Sequence, residues 1–138
     1  MNILFYLKPK SAVVYLYDDF TLRQVLEMME KHRYSAVPVI NRNGNYVGTL
    51  TEGDLLWHLK STGFHELKEM EDVPMTKIKR YWHNEPVNID CKIEDLITTS
   101  MNQNFVPVID DKKIFIGIVT RRDIIQYCYE KTLREDVQ

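Results

Sequence analysis

The chain has 138 residues, 44% of them apolar and 28% charged, the make-up of one ordinary globular domain able to bury roughly two-thirds of its unfolded surface. Its net charge of −2, with both signs interspersed, excludes a bulk electrostatic case for nucleic acid or for a membrane surface. Cys91 and Cys128 stand apart, and His32, His58, His65 and His83 show no ligand spacing, so neither a disulfide framework nor a metal centre is expected.

Met1 to Leu7 is apolar but short, with no basic flank and no small-residue cleavage site. No run nears the ~20 residues of a membrane span, and the chain reads as cytoplasmic. Residues 12 to 17, Ala-Val-Val-Tyr-Leu-Tyr, are β-branched and aromatic and predict a strand. Thr21 followed by Gln24 matches a capping box. Leu22, Val25, Leu26 and Met29 then fall on one face of a helix running to about His32. A short buried strand over 36–40, a turn at Asn41 to Asn45 and a returning strand from Tyr46 to Leu50 make a hairpin. A second helix follows Thr51 and is expected to bury Leu55, Leu56 and Leu59.

Residues 61–75 connect onward through a short helix, Glu66 to Met70, to Pro74. The same order then returns. Val87 to Ile89 predict a strand, and Ile93, Leu96, Ile97 and Met101 line a helix that is shorter than its counterpart. Phe105 to Ile109 and Phe115 to Val119 form a hairpin, and a last helix carries Ile124, Ile125 and Cys128. The tail beyond Leu133 is polar.

The return is a true repeat. Pro38 and Pro107, Gly48 and Gly117, Thr51 and Thr120, and Asp54 and Asp123 are each separated by 69 residues. The chain is two copies of one β-α-β-β-α unit, each too small to be secure alone, packed into one adequate core. Both copies carry a Val-Pro-Val strand. Proline cannot donate to a central ladder, so this proline is expected on a sheet edge or among a strand's first residues, with backbone groups near it free for another use.

Candidate chemistry centres on the helix openings Thr51-Glu52-Gly53-Asp54 and Thr120-Arg121-Arg122-Asp123. Threonine at the N-cap and aspartate at the third helical position satisfy bare amides and suit the dipole, and two ordinary capped helices need nothing more. The same geometry also suits a nucleotide. A helix N-terminus attracts phosphate, and a carboxylate beside it can accept both hydroxyls of a ribose. Asp54 and Asp123 would then hold ribose, with Thr51 and Thr120 near ribose or phosphate.

These residues together resemble CBS domains: the unit order, the x-Val-Pro-Val strand, the glycine before the third strand and Thr-x-x-Asp opening the last helix. The resemblance runs from about Lys8 to Lys131. A tandem pair of such units resembles a Bateman module. That implies a mixed α/β fold of two units, 1–65 and 76–138, joined by 66–75 and packed sheet to sheet with pseudo-two-fold symmetry. It implies ligands containing adenosine in the clefts between the sheets: AMP, ADP, ATP, S-adenosylmethionine or cyclic di-AMP. The base-contacting strand of that family matches Tyr34, Ala36, Val37 and Pro38, and again Phe105, Val106 and Pro107. Pairing into flat homodimers through the helices is also implied, which would place the apolar residues of the last helices partly in an interface.

The copies differ in charge. Arg121 and Arg122 give the later motif fixed positive charge for a phosphate, whereas Glu52 and Gly53 give the earlier one none, so the site holding Asp123 is expected to be the better anion site. Lys79 and Arg80 are further candidate cations. Lys92 stands where a hydroxyl residue would cap the later copy's first helix and weakens that cap. Trp57 and Tyr127 read as packing or dimer contacts, Tyr81-Trp82-His83 as core rather than cleft lining, and His58 and His65 as surface residues. No carboxylate pair, phosphate loop or nucleophile motif supports an enzyme. The expected function is a regulatory module without a cofactor, binding an adenine nucleotide and signalling to a protein partner. A ligand-free interaction module is the alternative.

Overall fold

The computed structural model describes residues 1–63, 66–80 and 84–136. The residues form two compact bodies, Val14–His83 and, discontinuously, Met1–Val13 with Asn84–Gln138. These bodies do not follow the repeat divisions at 65 and 76: the leading segment joins the later repeat, and the connecting segment joins the earlier one. Tyr81, Trp82, His83 and His65 lie outside the described residues. Among the described residues no helix is long and apolar enough to cross a membrane.

In the leading segment, β1 is Lys8–Pro9, preceded and followed by 3-10 turns at Ile3–Phe5 and Lys10–Ala12. In the earlier body, β2 is only Leu16–Tyr17, shorter than the 12–17 run predicts: Ala12 belongs to the preceding 3-10 turn, and the pairing is limited to Val39 and Ile40. Helix α1, Leu22–His32, starts with the expected box. Thr21 Oγ1 accepts from Gln24 N at 3.3 Å and Gln24 Oε1 accepts from Thr21 N at 2.8 Å. The helix buries Leu22, Val25 and Met29, and ends at Arg33 in the left-handed region, φ 57°. Strands β3, Ala36–Ile40, and β4, Tyr46–Thr51, form the hairpin. Helix α2, Glu52–Thr62, follows without a break.

Helix α3, Leu67–Met70, turns the connecting segment back onto the same body. Leu22 N donates to Val73 O at 2.7 Å and Met75 N to Phe20 O at 3.0 Å, and Met70, Met75 and Ile78 join the core around Leu16, Val37 and Leu50.

In the later body the strands are β5, Val87–Asn88, β6, Phe105–Ile109, and β7, Phe115–Thr120. The helices are α4, Ile97–Ser100, and α5, Arg121–Asp136. The sheet orders are β2-β3-β4 and β1-β7-β6-β5. The hairpins repeat pair for pair: Ala36 faces Thr51 as Phe105 faces Thr120, and the same irregularity follows Val39 and Val108.

Two expectations need correction here. The Val-Pro-Val strands are central in sheet order, not edges. The proline is tolerated because β2 and β5 are two residues long and pair only with Val39 and Ile40, or Val108 and Ile109. Pro38 and Pro107 lie beyond their ends, where no ladder donor is required. The later copy's first helix is also not α-helical at its start. Ile93–Leu96 is a 3-10 turn, and at 3.0 residues per turn its apolar face rotates off line. Ile93 and Leu96 are buried, but Ile97 and Met101 are exposed. Asp95 Oδ2 still accepts from Lys92 N at 3.3 Å, while the lysine ammonium has no lone pair with which to return the bond. In the last helices Leu55 and Ile124 are buried, whereas Leu56 and Ile125, one position round the helix, are exposed.

Two glycines mark close crossings. A Cβ on Gly117 would lie 2.1 Å from Lys8 O, where β1 pairs with β7. A Cβ on Gly48 would lie 2.2 Å from Arg80 Nη1. Each repeat's hairpin is thus covered at the same position by a segment from elsewhere in the chain, by backbone in one case and by a guanidinium in the other. Inside the later core, Tyr6 and Tyr127 meet edge to face at 5.8 Å, and the Tyr127 hydroxyl donates to Glu94, which also receives the Met1 ammonium at 3.1 Å.

Candidate functional site

Both motif threonines close a strand and open a helix. Thr51 ends β4 and caps α2: its Oγ1 accepts from Asp54 N at 3.1 Å, and Asp54 Oδ2 accepts from Thr51 N at 2.9 Å. Thr120 ends β7, and its Oγ1 accepts from Asp123 N at 3.2 Å. The first helical amides are tied down identically, Glu52 N to Ser35 O and Arg121 N to Asn104 O, each at 2.9 Å. The amides of Gly53 and Arg122 are the ones of the first turn not spent on these bonds, and they sit at the dipole's positive end.

Asp54 is buried, 5% exposed, at the end of a cavity of about 680 Å³. The lining runs along α2 through Trp57, His58, Ser61 and Thr62, and across to Lys77 and Lys79. Met75 and Ile78, three residues apart across the 3-10 turn Met75–Lys77, enter the core, while Lys77 and Lys79 stay exposed beside the cavity. The motif itself offers no cation at this mouth, but the folded chain supplies two. A cavity of this size, apolar with a few converging polar groups, is the ordinary form of a small-molecule site.

The register sets the proposed base-reading strand beside the cap. Ala36, opposite Thr51, is half-buried, while Val37 and Pro38 are buried. Tyr34, just before the strand, is exposed and stacked on His32 with a 4° tilt. In the later body Phe105, Val106 and Pro107 are buried. There the Phe105 carbonyl already accepts from Asn84 Nδ2 at 3.1 Å and Gln103 Nε2 at 3.3 Å. Gln103 occupies the position of Tyr34, 69 residues on.

The cations are placed unequally. Arg121 Nε donates to Ser100 O at 2.7 Å, which fixes that side chain to the end of α4, while Arg122 is exposed. Asp123 is half-buried. Lys79 lines the Asp54 cavity, but Arg80 does not. Its guanidinium lies over Gly48, in a separate recess of about 110 Å³ with Asp18, Val39 and Val47. Its Nη1 is buried with no hydrogen-bond partner among the described residues. Tyr127 packs in the later core, whereas Trp57 is 61% exposed, with the Lys60 ammonium 5.5 Å from its ring centroid. Sequence reasoning missed Lys77, Gln103 and the role of Trp57 in the lining. Only the 69-residue offset pairing Gln103 with Tyr34 pointed to any of them.

The CBS domain model matches residues 7–61 and 71–130. The crystal structure of CbpB in complex with cyclic di-AMP is 26% identical, with a TM-score of 0.83, covering 99% of this chain and 89% of that one. CbpB from Streptococcus agalactiae is 28% identical with a TM-score of 0.75, covering 88% and 75%. An uncharacterized protein of Methanocaldococcus jannaschii is 26% identical over 148 residues, 85% of this chain and 86% of its own length. With both halves matched by one family model, and strand register and capped helix repeating between them, the chain belongs to the CBS domain family, as a tandem pair of CBS domains.

Proposed function

We propose that the protein is a regulatory module that binds an adenosine-containing small molecule at the mouth of α2. One observation carries the reading: a buried carboxylate, Asp54, stands at the end of a 680 Å³ cavity, beside a strand whose first residues have no second strand neighbour among the described residues. Asp54 accepts the ribose hydroxyls, Thr51 and the Gly53 amide meet ribose or phosphate, and Ala36 to Pro38 present backbone groups to the base. Lys79, with Lys77, faces the phosphate. The cyclic di-AMP held by CbpB, 26% identical over nearly the whole chain, supports this ligand class.

Motif residues alone favour the later mouth, at Thr120 and Asp123. Its surroundings favour the earlier one as the principal site, because Arg121 is anchored to Ser100 and the Phe105 carbonyl is already satisfied. Arg122 remains as the later mouth's exposed cation, and replacing Arg121 and Arg122 by Ala is expected to weaken a phosphorylated ligand more than adenosine. Ligand-dependent changes in packing would be read by a protein partner, with the protein acting as a homodimer in the cytoplasm.

Thermal melting with AMP, ADP, ATP and cyclic di-AMP tests the ligand. A micromolar site raises the midpoint at millimolar ligand by mass action, and Asp54→Ala should abolish the rise. The second reading, an interaction module with no small-molecule site, draws on the Asn84 and Gln103 bonds that occupy the later strand. No shift with any nucleotide would establish it in place of the first.

A further inference from the structure

The segment that brings Lys77 and Lys79 to the Asp54 cavity sends its next side chain elsewhere. Arg80 lies over Gly48, in a recess of about 110 Å³. Among the described residues this recess shares no lining with the cavity at Asp54, and it lies wholly within the earlier body. It has room for a guanidinium because residue 48 has no side chain: a Cβ there would meet Nη1 at 2.2 Å. At the matching position of the later body, Gly117, the space is taken by the Lys8 carbonyl, held in the ladder between β1 and β7. In the earlier body a guanidinium takes that place and brings donors without an acceptor. Arg80 Nη1 is buried and has no hydrogen-bond partner among the described residues. A buried charged donor left unmet is costly, so the site favours any group that can accept from it.

The rest of the lining says what that acceptor is attached to. Asp18 also lines the recess, and no ion pair joins it to Arg80. Arg42, close enough to feel the Asp18 charge, is already bound to Asp19 through two bonds of 2.7 and 3.0 Å. Thr76 adds a hydroxyl, and Val39, Val47 and Ile78 give apolar walls. A simple anion would satisfy Arg80 but be opposed by Asp18, and a simple cation would meet the reverse conflict. A molecule carrying both charges suits both groups, and a guanidinium receives a carboxylate through paired N–H donors. Size narrows the choice: a cavity of about 150 Å³ holds benzene, so one of this volume admits about six heavy atoms at most. We propose that the recess binds a small zwitterion, an α-amino acid of glycine or alanine size. Its carboxylate lies on Arg80, its ammonium on Asp18 and its carbon atoms against the apolar walls. The site stands independently of the nucleotide reading of Asp54, and it gives Arg80 a role other than that of a phosphate cation.

The test is calorimetric titration of the whole chain with glycine, L-alanine, propionate, ethylamine and L-leucine, using the native protein, Arg80→Gln, Asp18→Asn and Gly48→Ala. Propionate and ethylamine are alanine without its ammonium or its carboxylate, and leucine is alanine enlarged beyond the recess. The native protein is expected to bind glycine or alanine, to bind propionate and ethylamine about tenfold or more weakly, and to show no heat with leucine. Arg80→Gln and Asp18→Asn should each weaken alanine about tenfold or more. Gly48→Ala keeps both charged groups but pushes the guanidinium aside. It should weaken alanine as much, while its cooperative melting shows that the body still folds. Propionate bound as tightly as alanine would make the recess a plain anion site and overturn the proposal. Leucine bound as tightly as alanine, or undiminished alanine binding by Arg80→Gln, would place the site elsewhere and overturn it too. So would the absence of any heat with glycine and alanine on the native protein.

Discussion

The two helix mouths were built from one sequence pattern and share backbone register, threonine cap and first-turn amide bond, but differ in what surrounds them. At the earlier mouth, cap and carboxylate bond reciprocally, the aspartate is buried, and lysines from another segment line an open cavity. At the later mouth, the threonine accepts from Asp123, an arginine is tied to the preceding helix, and two side-chain amides fill the strand carbonyl. Duplication preserves what the ladder and the cap require, and leaves the surroundings of each mouth free to diverge toward binding or toward structure.

The sharpest way to break this comparison is at the paired glycines. Gly117→Ala drives a methyl into the Lys8 carbonyl, backbone that moves only if β1 leaves its ladder. The expected cost is about 3 kcal/mol, read by denaturant unfolding. Gly48→Ala meets the end of a flexible Arg80 side chain and should cost nearer 1 kcal/mol. Equal costs would mean that the two crossings are mechanically alike.

Next come the caps. Thr51→Ala removes one half of a reciprocal box and should destabilise by about 1 kcal/mol. Thr120→Ala removes a single bond and should cost less.

A smaller effect separates the hairpin turns. Gly44, φ 88°, and Lys113, φ 65°, share one position, 69 residues apart. The left-handed conformation suits glycine, so Lys113→Gly should gain roughly 0.5 kcal/mol, net of glycine's chain entropy.

The finest effect is a pH slope confined to the later body. The Tyr127 hydrogen bond, with help from backbone amides and the Met1 ammonium, holds Glu94 down to about 2. The same bond pushes Tyr127 up to about 12. A depressed carboxylate contributes stability above its unfolded value of 4.5, and that contribution disappears as pH falls toward about 2. A raised phenol contributes below 10, and loses that contribution as pH climbs toward about 12. Glu94→Gln should therefore flatten the acid limb of midpoint against pH relative to the native protein. An unchanged limb would show that the bond carries no linkage.

Local and repeated features were legible from the residues. The Thr21–Gln24 box, both hairpins and their shared register follow from side-chain type and a constant offset. Asn41 and Asp110 even cap their turns alike, each accepting two amides at 2.9–3.0 Å. What escaped was set by distant parts of the chain. Nothing local says that Lys8 pairs with Ile118 or that Lys77 and Lys79 reach the cavity at Asp54. The 3-10 turn at Ile93 comes from a two-residue shortening, from 71 between Leu22 and Ile93 to 69 between Ala36 and Phe105. Its effect on Ile97 and Met101 appears only when the helix is built. At the candidate site, the Thr51–Asp54 cap was readable from its spacing, but Trp57 read as a packing or dimer contact, and only the folded chain sets it in the cavity lining.

The pairing of Lys8 with Ile118 also sets a timetable for a chain emerging from a ribosome. The earlier body is continuous and can close as soon as its last residues appear. The strand at Lys8 must wait for 110 more residues, counted from Lys8 to Ile118, which at synthesis rates of 5–20 residues per second is roughly 5 to 20 seconds. Throughout that interval it has no ladder partner, and a chaperone or a second nascent chain has its best opportunity to capture it there.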